Sequence, residues 1–255
     1  MTSTPRIASL VPSLTELVVA LGLRERLVAR TGYCIHPAAA LAEVPKVGGT
    51  KDVNLAKLRR LAPTHLLVNV DENRAETVAA LREFVPHIIV THPCDPHDNL
   101  ALVDRVAGAF ADEPGVAGRA AALRAEIARE LAVPATVPDE PVLYLIWHAP
   151  WMTVARDTYI SRMLARIGWT TLPAVEGGAA GAARYPVVTG DEPWLADARR
   201  VLLSSEPFAF DAGHAAQAKA LCPRARVQRV DGELLSWYGP RAAAGLRYLR
   251  ALAQS

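Results

Sequence analysis

Short apolar runs alternate along the chain with longer segments in which apolar residues recur every third or fourth position. That alternation predicts an α/β fold. Arg6–Val11 is a predicted strand, followed by Pro12 and by Ser13-Leu-Thr-Glu16, an S-x-x-E capping box expected to open a helix. Thr64–Val70 and His87–Thr91 are continuous apolar runs of the kind buried in parallel sheets, and Asn54–Leu61 and Arg74–Phe84 carry helical spacing between them.

A helical stretch follows from about residue 99 to residue 131, interrupted near Glu113-Pro-Gly115. Val133–Pro141 then holds three prolines and marks the best boundary in the chain. Beyond it a second α/β series begins. Val142–Trp147, Arg200–Ser204 and Ala225–Val230 are predicted strands, with helices at Thr158–Gly168 and Pro240–Ala253. Gly177–Ala183 reads as a mobile small-residue loop. The expected organisation is two lobes, each a central parallel sheet flanked by helices, joined by a single long backbone helix. The divisions fall at 1–110, 111–132 and 133–255.

Composition narrows the classes. Of 255 residues 51% are hydrophobic and 21% charged, which suits a globular chain with a sizeable core. A net charge of +2 gives no electrostatic footprint for nucleic acid. No apolar run approaches the ~18 residues of a membrane span. The first residues show no leader pattern, so the chain as written is expected in the cytoplasm; a leader removed ahead of this start would place it in the periplasm or at the cell surface. Cys34, Cys94 and Cys222 are odd in number and far apart, which argues for reduced thiols.

Standard catalytic strings are mostly absent, and Gly48-Gly-Thr-Lys51 reads as a turn because it lacks phosphate-loop spacing. His92-Pro-Cys-Asp-Pro-His97-Asp98 has metal-ligand residue types, but a closed zinc site would show a second paired half. The stretch therefore reads as a loop in which Asp95 or Asp98 caps the next helix. For Tyr33-Cys-Ile-His-Pro37 two readings stand side by side. His36, with Cys34, ligates a metal or stacks on a planar ligand; or His36 is a loop histidine and Cys34 is simply buried. In Asp71-Glu-Asn-Arg74, Asp71 is expected to cap a helix, leaving Asn73 and Arg74 as ligand contacts at a strand's carboxyl end. Trp147-His148-Ala-Pro-Trp151 and Trp237-Tyr238 lie in proline-broken loops, where flat side chains suit a large planar ligand, whereas Trp169 and Trp194 read as core or helix flank. Arg156, Arg184 and Arg241 lie near these loops and offer guanidinium forks for ligand carboxylates or phosphates.

Ile7-Ala-Ser-Leu-Val-Pro-Ser-Leu-Thr-Glu16, Val47-Gly-Gly-Thr50 with Asn54-Leu55, and Leu58–Val68 resemble the class III substrate-binding proteins of vitamin B12 and iron–siderophore importers, the helical-backbone metal receptors. The resemblance covers essentially the whole chain. It implies a monomeric, non-catalytic binder that holds cobalamin or another corrinoid, or a ferric siderophore, between two lobes and docks on the permease of an ABC importer. His36 with Pro37 falls where B12 binders place a ligand-contacting Tyr, Thr153–Arg156 on the second lobe's ligand loop, and Trp237 on an aromatic of the last one. His148 is a second candidate for an axial metal contact. Departures are also clear. Tryptophans expected near Thr50 and Val70 are missing, and Trp237-Tyr-Gly-Pro-Arg241 carries no docking acid, leaving Glu72 or Glu76 for that role on the first lobe. These departures describe a signal-less branch of the family. The competing reading is a chelatase-like enzyme on a tetrapyrrole, with His36 or His148 paired with Glu72, or a cytosolic chelate sensor.

Overall fold

A computed structural model describes residues 4–135 and 138–254, so Thr136 and Val137 of the proline-rich boundary lie outside the described residues. Contacts divide the chain into two compact units. The first runs to Pro93 and adds His97–Ala128 and Tyr238–Pro240; the second takes Cys94–Pro96, Arg129–Trp237 and the chain from Arg241 on.

The first unit contains β1 (Ile7–Ser9), α1 (Pro12–Ala20), β2 (Leu27–Arg30), α2 (Ala38–Leu41), α3 (Leu55–Arg60), β3 (His65–Asn69), α4 (Ala75–Leu81), β4 (His87–Thr91), α5 (Asp98–Gly108) and most of α6 (Val116–Leu131). Its four strands are all parallel in the order β2-β1-β3-β4. Ala8, Leu10, Val47, Leu58, Leu66, Val68 and Leu81 form a core cluster on one sheet face, while Ile7, Ser9 and Leu67 are equally buried. Burial on both faces explains why these strands read as unbroken apolar runs.

The second unit contains β5 (Glu140–Leu145), β6 (Trp151–Met152), α7 (Tyr159–Ala165), β7 (Trp169–Thr171), β8 (Val187–Val188), β9 (Arg200–Ser204), α8 (Ala212–Leu221), β10 (Arg226–Val230), α9 (Gly232–Ser236) and α10 (Arg241–Ala253). β10-β9-β5-β7 form its parallel sheet, and β6 and β8 pair as a small antiparallel ribbon. The core gathers Leu143, Leu145, Leu172, Val201, Leu203 and Phe210, and Trp169 is buried as expected. On the edge strand β10, Arg226 and Arg229 are exposed, a charge pattern that discourages pairing with another sheet edge.

Several local expectations fail for physical reasons. The capping box at Ser13 is not formed. Pro12, which has no N–H to satisfy, starts α1 two residues earlier, with Val11 as an uncapped N-cap, so Ser13 falls inside the helix and is buried. Thr15 does the local bonding instead, its hydroxyl donating to the Val11 carbonyl at 2.9 Å and sharing a hydrogen bond with the Ser9 hydroxyl at 2.8 Å. Neither Asp71 nor Asp95 nor Asp98 caps a helix: the N-cap positions are Arg74 and His97, both without a side-chain cap, and Asp98 is the first residue of α5. The Gly177–Ala183 loop is tied down, not loose. The Asp157 carboxylate accepts from the amides of Gly177 and Gly178, both at 2.8 Å, and Arg184 donates to the Gly178 carbonyl at 2.7 Å.

Gly245 on α10 sits against α9, where a Cβ would collide with the Leu234 carbonyl oxygen and press on Met163. Gly118 on α6 has open space around it. Gly245→Ala should therefore destabilise the protein by about 1–3 kcal/mol through overpacking, and Gly118→Ala should stabilise it by about 0.5–1 kcal/mol through helix propensity. Urea unfolding of the two variants checks both signs.

Candidate functional site

In an open parallel sheet, ligand-facing loops gather at the carboxyl ends of the strands, and the crevice opens where the strand order reverses. In the second unit β5 is followed by β7 on one side and then by β9 on the other, so the reversal lies between β5 and β9. The loop after β5 carries Trp147 and His148 and leads into β6 with Trp151, and the loop after β9 carries Phe208 and Phe210 and leads into α8 with His214.

These six rings converge. His148 packs edge-on against Trp151 at 4.5 Å between centroids and against His214 at 4.7 Å. Phe208 lies 5.4 Å from Trp147, 4.8 Å from Phe210 and 5.0 Å from His214. Trp151 stacks on Phe210 at 5.9 Å and 15°. Phe210 belongs to the core, and Trp151 and Phe208 pack against it, but Trp147 is 40% exposed, so the cluster runs out of the core to an aromatic surface at Trp147. The backbone fixes it: Ile146 N donates to the Met152 carbonyl at 3.0 Å and Met152 N to the Trp147 carbonyl at 3.2 Å, closing the β5 loop on itself. At its crown Ala149 takes φ +62°, a left-handed conformation uncommon for alanine, of the sort concentrated at functional loops.

Asp211, the N-cap of α8, accepts from the His214 amide at 2.9 Å, and its carboxylate lies 2.7 Å from His214 Nδ1. The His214 backbone N–H and imidazole hold the Asp211 carboxyl below its ordinary value. Arg156 follows β6 and places its Nε on the Thr171 carbonyl at 3.2 Å; among the described residues it pairs with no carboxylate.

Trp237 and Arg241 do not join this cluster. Trp237 Nε1 donates to Glu206 Oε1 at 2.8 Å, Ser236 donates to the same oxygen at 2.6 Å, and the Arg241 guanidinium lies over the indole at 4.5 Å while donating to Glu233 at 2.6 Å. Burial raises the Glu206 carboxyl above its ordinary value, with the two donors opposing that shift. Both residues, expected as ligand contacts, instead form a clasp that anchors the loop after β9 to the start of α10.

The first unit differs at its own reversal, between β1 and β3. Asn73 fills it: the side-chain oxygen accepts from the Asn69 amide at 2.9 Å, and the amide nitrogen donates to the carbonyls of Leu10 at 3.3 Å and Thr50 at 3.0 Å. An expected ligand contact is therefore spent on backbone. Tyr238 is buried in this unit with its hydroxyl on Glu72 at 3.1 Å, so it offers no open ring and Glu72 is already engaged. Arg74 is half-exposed and reaches Asp52 at 3.8 Å.

The metal reading of Cys34 also fails. Its sulfur is buried against Thr31 Oγ1 at 3.1 Å, and burial pushes the thiol up, away from the thiolate a metal needs. His36 is half-buried in the same loop. His92 lies 3.3 Å from Asp71, Cys94 receives an Arg184 bond at 3.4 Å and Asp95 pairs with Arg162 at 3.7 Å. Among the described residues no three His, Cys, Asp or Glu side chains converge on a metal position.

Sequence reasoning missed Phe208, Phe210, His214 and Tyr33. Phe208 and Phe210 alternate after a buried strand, a legible signal, and His214 follows in the next helix. Tyr33 and Ile35 are turned outward, 66% and 50% exposed, because Cys34 between them is turned in.

No protein-family model matches the chain. It is 27% identical over 164 residues to a vitamin B12-binding protein of Photorhabdus laumondii, a stretch that covers 64% of this chain and 59% of that relative. Solved structures match over nearly the full length. The periplasmic vitamin B12-binding protein BtuF of Vibrio cholerae aligns with a TM-score of 0.79 at 21% identity, covering 98% of each chain. The periplasmic heme-binding protein HutB of Vibrio cholerae gives 0.79 at 20% identity over 99% of this chain and 100% of that one. RhuT, the heme-binding protein of Roseiflexus, gives 0.77 at 22% over 99% of each. The chain has the fold of these periplasmic binding proteins, with two α/β units built on parallel sheets. Among its described residues no helix is long and apolar enough to cross a membrane.

Because Glu206 titrates above 4.5 when folded, the folded chain holds a proton where the unfolded chain has lost it. Stability contributed at this site should fall as pH rises from 4.5 through the folded value. Glu206→Gln keeps an oxygen for both donors and should flatten that part of the melting-temperature profile. Glu206→Ala removes both bonds and should cost about 2 kcal/mol at neutral pH, read by urea unfolding.

Proposed function

We propose that the chain is a member of the class III substrate-binding family and binds, without transforming it, a planar metal chelate of the corrinoid or porphyrin type for delivery to an ABC importer permease. The observation that carries this reading is the aromatic face at the strand-order reversal of the second sheet, with Trp147 exposed over Phe208. Flat rings held by their own backbone offer a macrocycle large contact area at little cost in conformational entropy. Tyr33 and Ile35 offer apolar surface at the carboxyl edge of the first sheet. Arg156 suits the carboxylate or phosphate that such a ligand carries. His148 and His214 supply imidazoles next to the aromatic face. The names of the relatives, B12 binder and heme binders, support the same ligand class. A hydroxamate siderophore, with little flat surface, suits this face less well. The enzyme alternative loses support because Glu72, its candidate base, already accepts the Tyr238 hydroxyl.

Tryptophan fluorescence titrated with cyanocobalamin, with hemin and with a ferric hydroxamate tests the reading. Saturable quenching by a macrocycle is expected, with binding about tenfold weaker in Trp147→Ala and in Phe208→Ala. Both variants should melt within a few degrees of the parent. Saturation by the hydroxamate alone, or affinity unchanged in both variants, would overturn it.

A further inference from the structure

His65 and His87 are register partners at the amino ends of β3 and β4, the edge of the first sheet opposite its ligand-facing loops. Their rings stack at 4.7 Å between centroids and 25° between planes. His65 is partly buried, and its Nδ1 lies 2.9 Å from Thr64 Oγ1. The buried ring of Phe110 also packs on His65, 4.9 Å away and tilted by 55°. Phe110 lies beyond the end of α5, in the turn that leads to α6; there Glu113 N donates to the Phe110 carbonyl at 3.0 Å.

We propose that the His65–His87 pair is an acid-sensitive joint, stacked while at least one ring is neutral and forced apart when both are charged, so that mild acid loosens Phe110 and the turn into α6. The charges around the pair leave it without a counterion. Arg6, which leads into the neighbouring β1, commits its guanidinium to the carbonyls of Ala62 at 3.0 Å and Leu61 at 2.6 Å. Arg26, ahead of β2, and Glu113, beyond Phe110, pair with each other at 2.8 Å. Phe110 brings no charge, and β4 brings His87 itself. Among the described residues no carboxylate pairs with either imidazole. The second proton must therefore enter next to a like charge and, at His65, in a partly desolvated place.

Burial first, and His87 second, hold the His65 imidazole below 6.5. Between that folded value and 6.5 the unfolded chain binds more protons, so stability is lost as pH falls from 6.5 through the folded value. A joint of this kind makes the packing ahead of α6 respond to compartment pH independently of any ligand.

The test is an NMR titration of the histidine and Phe110 ring signals between pH 8 and 5 on the full chain, with melting temperatures over the same range. In the parent, His65 should titrate below 6.5, and the Phe110 signals should move in step with acidification. His87→Gln, at an exposed position, should raise the His65 midpoint and shrink the loss of melting temperature. A His65 midpoint at the ordinary value, Phe110 signals that ignore the titration, or a His87→Gln variant with the parent's profile would each overturn the proposal.

Discussion

A parallel sheet that reverses its strand order must send two neighbouring loops in opposite directions from its carboxyl edge, and the gap between them cannot be closed by the sheet itself. In the second unit that gap lies between β5 and β9 and is bordered by aromatic rings, with Trp147 facing outward. In the first unit the equivalent gap is closed by one asparagine that satisfies three backbone groups. Two sheets of the same topology thus meet the same constraint differently. One gap is sealed with hydrogen bonds; the other is left as a surface that a flat ligand would complete.

What keeps that surface open is rigidity elsewhere. The loop after β5 bonds to itself across Ile146, Trp147 and Met152, and the loop after β9 is tied through Glu206 to Ser236 and Trp237. A buried carboxylate is a costly tether, and here the Ser236 and Trp237 donors offset part of the cost of burial, while the charge of nearby Glu233 adds to it. Left to fold freely, exposed aromatics would collapse onto one another or onto the core. Held at both ends, they remain available at little entropic cost.

Much of the fold was legible in the sequence because burial on both faces of a parallel strand leaves an unmistakable apolar run. His87–Thr91 and Arg200–Ser204 were placed to the residue. Caps were only partly legible: the segments read from Asn54 and Thr158 do begin at residues whose side chains cap α3 and α7. Ser13, Asp71 and Asp98 have the right residue types at plausible positions, but Pro12 and the loop bonds of Asn69 and Asn73 decide where the helices start. The site was half legible. Trp147, His148 and Trp151 lie close in sequence, whereas Phe208, Phe210 and His214 reach them only through the β5–β9 pairing. Trp237, Tyr238, Arg241 and Asn73 misled because residue type reveals chemistry but not the partner that uses it up. Cys34 misled likewise, since alternation in a short loop turns its sulfur inward and Tyr33 outward.

The proposed function requires that this chain retain a planar metal macrocycle intact. Equilibrium dialysis of the purified protein against an equimolar mixture of cyanocobalamin and hemin, followed by elemental analysis for cobalt and iron, tests it most directly. Close to one equivalent of one metal per chain is expected, recovered in the unaltered macrocycle and lost when Trp147 and Phe208 are both replaced by alanine. Retention of neither metal, or release of a chemically altered macrocycle, would contradict it.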